Sequence, residues 1–259
     1  MAEFGEQDHV RVVRDGDIVR VTLTNPDARN AQTPATWRRL AAIPELLDDS
    51  VRAVVLSAEG KSFSAGLDRR MLTPEGVPGE ESLLTLSGRP DEELDEFIRQ
   101  AQAAFVWWRS VPQVTIALVH GHAIGAGFQL ALACDVMIVA DDAQLAMRET
   151  SLGLVPDLGG TQPLADRVGY SRAFEICARG RFVGGEEAVR LGIAIDQVPV
   201  DEWDAYVTEF LAPIIAALPG AVSGLKTLLN GAASDADQPA RERRAQMERL
   251  IELRSLVGG

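Results

Sequence analysis

The sequence is poor in cysteine and histidine, and each shortage weighs against a class of site. Its 259 residues include 2 cysteines and 3 histidines. Two thiols without a CxxC pair give no disulfide framework, so Cys134 and Cys177 are expected to be reduced and buried. The histidines are scattered and have no carboxylates at ligand spacing. We therefore expect no metal site.

Long apolar runs are also missing. The apolar segment over residues 116–139 is interrupted by His, Gly, Gln and Asp, so no run has the character of a membrane-spanning helix. The first residues, MAEFGEQDH, are acidic and lack the apolar stretch of a signal peptide. These absences predict a soluble, cytoplasmic protein with no membrane partner.

Basic residues are outnumbered by acidic ones. The chain has 25 Lys and Arg against 38 Asp and Glu, which gives a formal net charge of −13. Such a surface repels a phosphate backbone, so nucleic acid is not expected as a partner. An anionic small molecule can still be held locally by helix ends and a few basic side chains. With 46% hydrophobic residues, the chain can bury one large core, or a core and a small subdomain.

Local patterns predict a mixed α/β chain. Asp15-Gly16 between the apolar runs 10–13 and 18–23 predicts a hairpin. Thr33-Pro34 predicts a helix start, and Pro44 is expected to kink or divide that helix. Further strands are predicted over 51–57, 114–119 and 136–140, helices over 91–108, 128–134, 203–218 and 240–255, a mobile loop over 71–90 and a polar linker over 231–239.

Two clusters of small residues follow apolar runs. Gly125, Ala126 and Gly127 lie between the strand predicted over 114–119 and the helix that begins near Phe128. No bulky side chain shields the backbone there, so main-chain N–H groups at the helix start can approach an anionic oxygen. A second cluster spans residues 63–68. Together they suggest an oxyanion hole with two donors, although tight packing explains either cluster alone.

Three ordered motifs resemble those of one family. Residues 116–136 resemble the signature of the enoyl-CoA hydratase/isomerase (crotonase) superfamily. Residues 61–68 resemble that family's first oxyanion-hole loop, and residues 149–162 resemble its third block. The similarity runs from about residue 10 to about residue 199, with a weaker tail. The resemblance rests on all three motifs at the right separations.

The resemblance implies a fold and an assembly. We expect an α/β fold of the crotonase type, a spiral of ββα units, followed by a helical region. The division falls at Pro199-Val200-Asp201, with the spiral core over 1–199 and a C-terminal helical oligomerisation region over 200–259. Family members usually form trimers or dimers of trimers, so a homotrimer or hexamer is expected.

It also implies a ligand and its binding residues. The substrate would be an acyl-CoA thioester of fatty acid metabolism, with coenzyme A as part of the substrate and no permanently bound cofactor. The backbone N–H groups of Leu67 and Ala126 would stabilise the thioester enolate. Ala126 stands where family members commonly have Gly. The resemblance also implies that Ala65, Gly66, Gly125 and Gly127 bind the substrate.

Three polar residues match catalytic positions of the family. Glu149 matches a glutamate that moves a proton at the acyl chain, although read without the resemblance it would be a surface or capping residue. Gln129 stands where hydratases carry a second glutamate, and an amide cannot exchange a proton. Asp157 matches an acid that partners the glutamate in dienoyl-CoA isomerases. The alternative for Asp157 is an N-cap of the helix that starts near Gly160.

These residues favour double-bond isomerisation with Glu149 as the base. The alternatives are hydration of a 2-enoyl-CoA, with a water held by Gln129, and a catalytically weak protein that only binds acyl-CoA. Lys226 and the basic residues of 241–244 are candidates for contacts with the CoA phosphates. Solvated helix faces explain those charges equally well.

Overall fold

Two β-sheets form the framework of the molecule. A computed structural model describes residues 2–231 together with residues 243 and 245–247. The strands are β1 Ala2–Gln7, β2 Val10–Asp15, β3 Ile18–Leu23, β4 Ala53–Ala58, β5 Val114–Val119, β6 His122–Ile124, β7 Val136–Val139, β8 Gln144–Ala146, β9 Val183–Gly184 and β10 Asp196–Gln197. The helices are α1 Pro34–Ala41, α2 Leu83–Leu86, α3 Asp91–Val106, α4 Ala126–Ala133, α5 Thr161–Val168, α6 Tyr170–Arg179, α7 Gly185–Arg190, α8 Trp203–Ala216 and α9 Pro219–Gly231.

The larger sheet has seven strands in the order β1-β2-β3-β4-β5-β7-β10. The first three strands are antiparallel, and every pairing from β3 to β10 is parallel. The hairpin predicted around Asp15-Gly16 is confirmed, because Asp15 pairs with Ile18 across a tight turn. β1 has no counterpart among the predicted strands, since its sequence AEFGEQ lacks a clear apolar alternation.

The central strands β4 and β5 are buried on both faces. Val54 and Leu56 of β4 face the main core, whereas Ala53 and Val55 face a second core on the other side of the sheet. α8 covers that second core, and its Trp203 is almost fully buried. Burial on both faces explains why these strands are continuous apolar runs. The predicted strands over 51–57, 114–119 and 136–140 correspond to β4, β5 and β7.

The smaller sheet fixes the position of the segment that connects β5 to α4. Its three strands have the order β6-β8-β9, and β6 runs parallel to β8. Beyond the end of β6, the N–H of Gly125 donates to the carbonyl oxygen of Ala146 at 2.8 Å. The start of α4 is therefore fixed close to Glu149, which follows β8. These strands are two or three residues long, too short to show a pattern in the sequence.

The helix predictions agree with the structure where a local signal exists. The hydroxyl oxygen of Thr33 accepts from Thr36 N–H and caps α1. A 3-10 helix, Ile43–Leu46, follows α1 and contains Pro44, so the proline divides the predicted helix. The predicted helices over 91–108, 128–134 and 203–218 correspond to α3, α4 and α8. The linker over 231–239 and the helix over 240–255 lie outside the described residues, apart from residues 231, 243 and 245–247.

The prediction of a mobile loop over 71–90 is wrong in part. Ser82 caps a short helix, α2, by accepting from Thr85 N–H at 3.1 Å. Leu86 of that helix is buried. The segment is rich in Gly, Pro and Ser, so its composition does not predict this single helical turn, which is stabilised by packing.

The lengths of the described helices bear on whether one of them could cross a membrane. Among the described residues, no single helix is long and apolar enough to cross a bilayer. Val200–Ala216 and Pro219–Asn230 reach that length and composition only as a pair bent by 104°.

Lys226 is a buried structural cation, which corrects its assignment to the CoA phosphates. Its Nζ lies 2.7 Å from Asp135 Oδ2 and donates to the carbonyl oxygens of Trp108 at 2.9 Å and Gln113 at 2.7 Å. An ammonium group has three donors, and these three acceptors use all of them. The residue therefore fixes α9 to the end of α3 and the start of β5.

We expect Lys226→Ala to lower the free energy of unfolding by about 3 kcal/mol, because it leaves the partly buried carboxylate of Asp135 without the counter-charge of this buried lysine. Urea denaturation measures the loss. Lys61→Ala is the matched control, since Lys61 is exposed and its loss should change stability by less than about 0.5 kcal/mol. Equal effects of the two substitutions would contradict a structural role for Lys226.

Candidate active site

The turn after β4 and the turn after β5 are joined by backbone hydrogen bonds. Phe63 N–H donates to His120 O and Ser64 N–H donates to His122 O, each at 2.9 Å, and Ile124 N–H donates to Ser64 O at 3.0 Å. β4 and β5 are parallel neighbours, so both turns leave the same edge of the sheet. The two small-residue clusters of the sequence therefore meet.

Gly66 permits a close approach between these turns. Its φ is +85°, and a Cβ at this position would overlap the carbonyl oxygen of Ile124 and lie 3.4 Å from Ala126 N. Gly125 has φ +53°, and a Cβ there would lie 3.3 Å from Glu149 Oε1. Only glycine combines these backbone angles with this proximity.

Two backbone amides at this junction have no acceptor within the described part of the chain. On either side of Leu67, Gln32 N–H donates to Gly66 O and Asp68 N–H donates to Gln32 O, each at 2.8 Å, but no such bond is formed by Leu67 N–H. Ala126 N–H belongs to the first residue of α4, so it has no partner in the helix. Both residues line the same cavity, so an acceptor for these amides would have to come from a bound molecule.

A cavity of about 780 Å³ lies beside these amides. Eight of the nine residues singled out from the sequence line it, namely Ala65, Gly66, Leu67, Gly125, Ala126, Gln129, Glu149 and Asp157. Gly127, predicted to bind substrate, does not line it. A Cβ on Gly127 would overlap Ser64 O, so its small size serves the packing of α4 against the first turn.

The side chain of Gln129 is held in one orientation. Its Oε1 accepts from Leu158 N–H at 3.0 Å and from Gly160 N–H at 3.3 Å. Because the oxygen is occupied by two backbone donors, the amide nitrogen points the other way and donates to Glu149 Oε1 at 2.7 Å. Gln129 is 1% exposed, so the contact with Glu149 is shielded from water.

The carboxylate of Glu149 lines the cavity with one oxygen unpaired. Oε2 is buried and has no hydrogen-bond partner among the described residues. Burial raises the pKa of Glu149, and the negative charge of Asp157 adds to the rise, whereas the hydrogen bond from Gln129 lowers it. A carboxylate with a raised pKa and an unpaired oxygen beside a cavity is suited to accept a proton from a bound molecule.

Asp157 is a second carboxyl group on the cavity wall. The N-cap alternative for it is wrong, because α5 begins at Thr161 and its N-cap residue, Gly160, is reached by no capping side chain. The residue as a whole is exposed, yet the cavity wall removes enough water from its carboxylate to raise the pKa of Asp157. Two acids with raised pKa values therefore line one cavity.

Much of the cavity wall was not predicted as part of a site. Trp37 of α1 and the α3 residues Leu94, Phe97, Ile98 and Ala101 contribute apolar surface to it. The periodicity of α3 marks an apolar face but does not say which surface that face meets.

Two arginines at the cavity also have no counterpart among the predicted site residues. Arg69 follows the first turn, and Arg148 precedes Glu149 and lies over the ring of Phe182. Both arginines directly adjoin a predicted motif, Arg69 after residues 61–68 and Arg148 before residues 149–162. In the described part of the chain, no group of three or more His, Cys, Asp or Glu side chains is arranged to hold a metal ion.

Comparison with known proteins identifies the family. Residues 14–252 match the family model described as enoyl-CoA hydratase/isomerase, which is most of the chain. The chain therefore belongs to the enoyl-CoA hydratase/isomerase family.

Individual relatives agree with that assignment. A Thermobifida fusca protein assigned as an enoyl-CoA hydratase, solved with acetoacetyl-CoA, is 43% identical, with a TM-score of 0.89 over 95% of this chain and 96% of that chain. A Delta(3,5)-Delta(2,4)-dienoyl-CoA isomerase of Arabidopsis thaliana is 30% identical over 88% of this chain and 83% of its own length. A Bacillus subtilis protein assigned as an enoyl-CoA hydratase is 33% identical over 69% of this chain. The matched part covers 65% of that relative, just under two thirds of its length. The predicted crotonase-type α/β fold with a helical C-terminal region is confirmed.

We expect Gly66→Ala to destabilise the protein by at least about 1 kcal/mol more than Gly79→Ala. Both glycines have nearly the same positive φ, +85° and +83°, so both substitutions carry the same backbone strain. A Cβ at Gly79 meets nothing within 4 Å, whereas one at Gly66 overlaps Ile124 O. Equal losses in chemical denaturation would contradict the close approach of the two turns.

Glu149→Gln is expected to stabilise the protein at about pH 8 and not at about pH 4. A raised folded-state pKa means that the folded protein holds this proton more tightly than the unfolded chain does. Stability is therefore lost as the pH rises from the unfolded pKa through the folded pKa, and glutamine removes that loss. Thermal melts across this pH range measure the difference. The exposed Glu186→Gln is the control, and a pH-independent effect at position 149 would contradict the raised pKa.

Proposed function

We propose that this protein is an acyl-CoA enzyme that stabilises a thioester enolate between the N–H groups of Leu67 and Ala126. The observation that carries the proposal is that Leu67, Ala126 and Glu149 line a single cavity. Among the described residues, the two amides have no acceptor and one oxygen of the buried carboxylate has no hydrogen-bond partner. Paired amide donors can lower the barrier to enolate formation by several kcal/mol, about 3 for each donor. The related Thermobifida fusca protein, solved with acetoacetyl-CoA, supports a thioester ligand.

The favoured reaction is double-bond isomerisation with Glu149 as the base. The carboxylate removes a proton from the carbon next to the thioester carbonyl of a 3-enoyl-CoA, and the electron pair moves onto the carbonyl oxygen. The enolate is held by the two amides while the double bond shifts. Protonated Glu149 then returns the proton to the carbon at the other end of the allylic system, so no atom is gained or lost and the base is regenerated.

The hydrogen bonding of Gln129 supports isomerisation over hydration. In the alternative reaction, Gln129 would hold the water that adds to a 2-enoyl-CoA. Its oxygen already accepts two backbone N–H groups, and one of its amide hydrogens is donated to Glu149. The side chain can offer a water only its remaining N–H, which does not draw a proton from the nucleophile. Its role in this proposal is to orient Glu149.

Asp157 gives the cavity a second proton-transfer group. In a conjugated dienoyl substrate, a proton is removed near the thioester and another is added farther along the chain. Glu149 and Asp157 on one cavity wall suit that division of roles, and the similarity to the Arabidopsis thaliana dienoyl-CoA isomerase supports it. Isomerisation of a 3,5-dienoyl-CoA is therefore included in the proposal.

Hydration remains the second candidate because several relatives are assigned as enoyl-CoA hydratases. A protein that binds acyl-CoA without turnover is the third. The homotrimer or hexamer and the division at residue 199 stay predictions from the resemblance, and the cytoplasmic location stays a prediction from the sequence.

Wild-type protein is expected to convert 3-enoyl-CoA or 3,5-dienoyl-CoA to conjugated products of unchanged mass. Glu149→Gln should lower kcat by at least about a hundredfold, since an amide cannot accept the proton. The kcat/KM of the wild type should fall on acidification with an apparent pKa above the usual glutamate value, because protonation removes the base. Absorbance and mass spectrometry together separate bond migration from water addition.

Glu186→Gln serves as the control and should leave kcat unchanged. A mass gain of one water from 2-enoyl-CoA, without migration of any double bond, would contradict the proposal and favour hydration. An active Glu149→Gln variant would contradict the assignment of the base.

A further inference from the structure

The residues that line the cavity include Ala126, Glu149 and Leu158. Ala126 begins α4, and Gln129 follows three residues later on the same helix, a rise of about 4.5 Å. Gln129 in turn accepts a hydrogen bond from Leu158 N–H. If the thioester lies at Ala126, as the proposed function requires, an acyl chain extends past Glu149 toward Leu158. A butenoyl group is about as long as that rise, so only a longer chain reaches the region around Leu158.

The walls of this far region are apolar. Phe97, Ile98 and Ala101 of α3 line it, and so do Leu154 and Val155, which precede Asp157 in the chain. The two segments are joined because the side-chain amide of Gln102, next to Ala101 on α3, donates to Asp157 O at 2.6 Å. Apolar walls of this kind bind alkyl groups through the removal of both surfaces from water.

The charges along the cavity disfavour an anionic acyl tail. The acids Glu149 and Asp157 lie on the path of the chain, and both would repel a terminal carboxylate. Two basic side chains also line the cavity, and each has a position or partners of its own. Arg69 comes two residues after Leu67, at the thioester end, and Arg148 donates to Gly180 O and lies over Phe182.

We propose that the substrate carries an uncharged, apolar acyl chain well beyond four carbons in length, and that Ala101 sets the room for its distal part. The inference rests on the proposed function for the position of the thioester. Ala101 is 5% exposed and lines the cavity, so a larger side chain there would occupy space that the acyl chain needs.

Calorimetric binding of saturated acyl-CoAs to the full chain tests the inference without requiring turnover. Butanoyl-, octanoyl- and dodecanoyl-CoA should bind with a Kd that falls by about threefold for each added methylene until the pocket is filled. Octanedioyl-CoA, with its terminal carboxylate, should bind at least about tenfold more weakly than octanoyl-CoA.

Ala101→Leu should reduce the preference for dodecanoyl-CoA over butanoyl-CoA by about tenfold, because its added methyl groups displace part of the longer chain. Ala103→Leu is the matched control on the same helix, since Ala103 is exposed and does not line the cavity. Val155→Ser is a second variant that does not endanger folding, because Val155 is 70% exposed. It should weaken dodecanoyl-CoA binding by about threefold, and Val200→Ser, at a residue that is 52% exposed and outside the cavity, should not.

The outcomes separate this inference from the proposed function. A Kd independent of chain length would overturn the inference while leaving an acyl-CoA enzyme in place. Equal affinity for octanoyl- and octanedioyl-CoA would overturn the assignment of an uncharged chain. Clear length dependence without product from any unsaturated thioester would support the inference and contradict the proposed reaction. Failure of every acyl-CoA to bind would overturn both.

Discussion

The site depends on the backbone contact between the turns that follow β4 and β5. Parallel pairing of the two strands places both turns at one sheet edge, and the hydrogen bonds of Phe63, Ser64 and Ile124 fix one against the other. Glycines make the contact possible, since a Cβ at Gly66 would overlap Ile124 O and one at Gly121 would overlap Lys61 O. The contact brings Leu67 and Ala126 to one cavity, and the hydrogen bond of Gly125 N–H to Ala146 O brings Glu149 to the same place.

The features that make Glu149 reactive also lower the stability of the folded protein. The charged form of Glu149 is disfavoured by burial, and one of its oxygens has no hydrogen-bond partner among the residues that the structure describes. Gln129 offsets part of this by donating to the other oxygen, and its own oxygen is held by two backbone amides. Functional sites commonly combine such destabilising features with a rigid frame. Here the frame is the doubly buried sheet, fixed to α9 through Lys226.

Features with a local signal could be predicted from the sequence, and features made by distant contacts could not. The strand over 114–119, the cap at Thr33 and the break at Pro44 depend on neighbouring residues and agree with the structure. The bonds of Gln129 to Leu158 and Gly160 join residues far apart in the chain. The sequence therefore showed only that residue 129 cannot exchange a proton, and not how its side chain is held. The buried position of Lys226 and the α3 wall of the cavity are tertiary facts, which periodicity does not specify.

The most direct test is a crystal structure of the Glu149→Gln variant with a bound enoyl-CoA, in which turnover is slowed. The account predicts that the thioester oxygen lies about 2.7–3.1 Å from both Leu67 N and Ala126 N, with the side chain of residue 149 beside the acyl carbons. A thioester oxygen bound elsewhere, or in contact with neither amide, would contradict it.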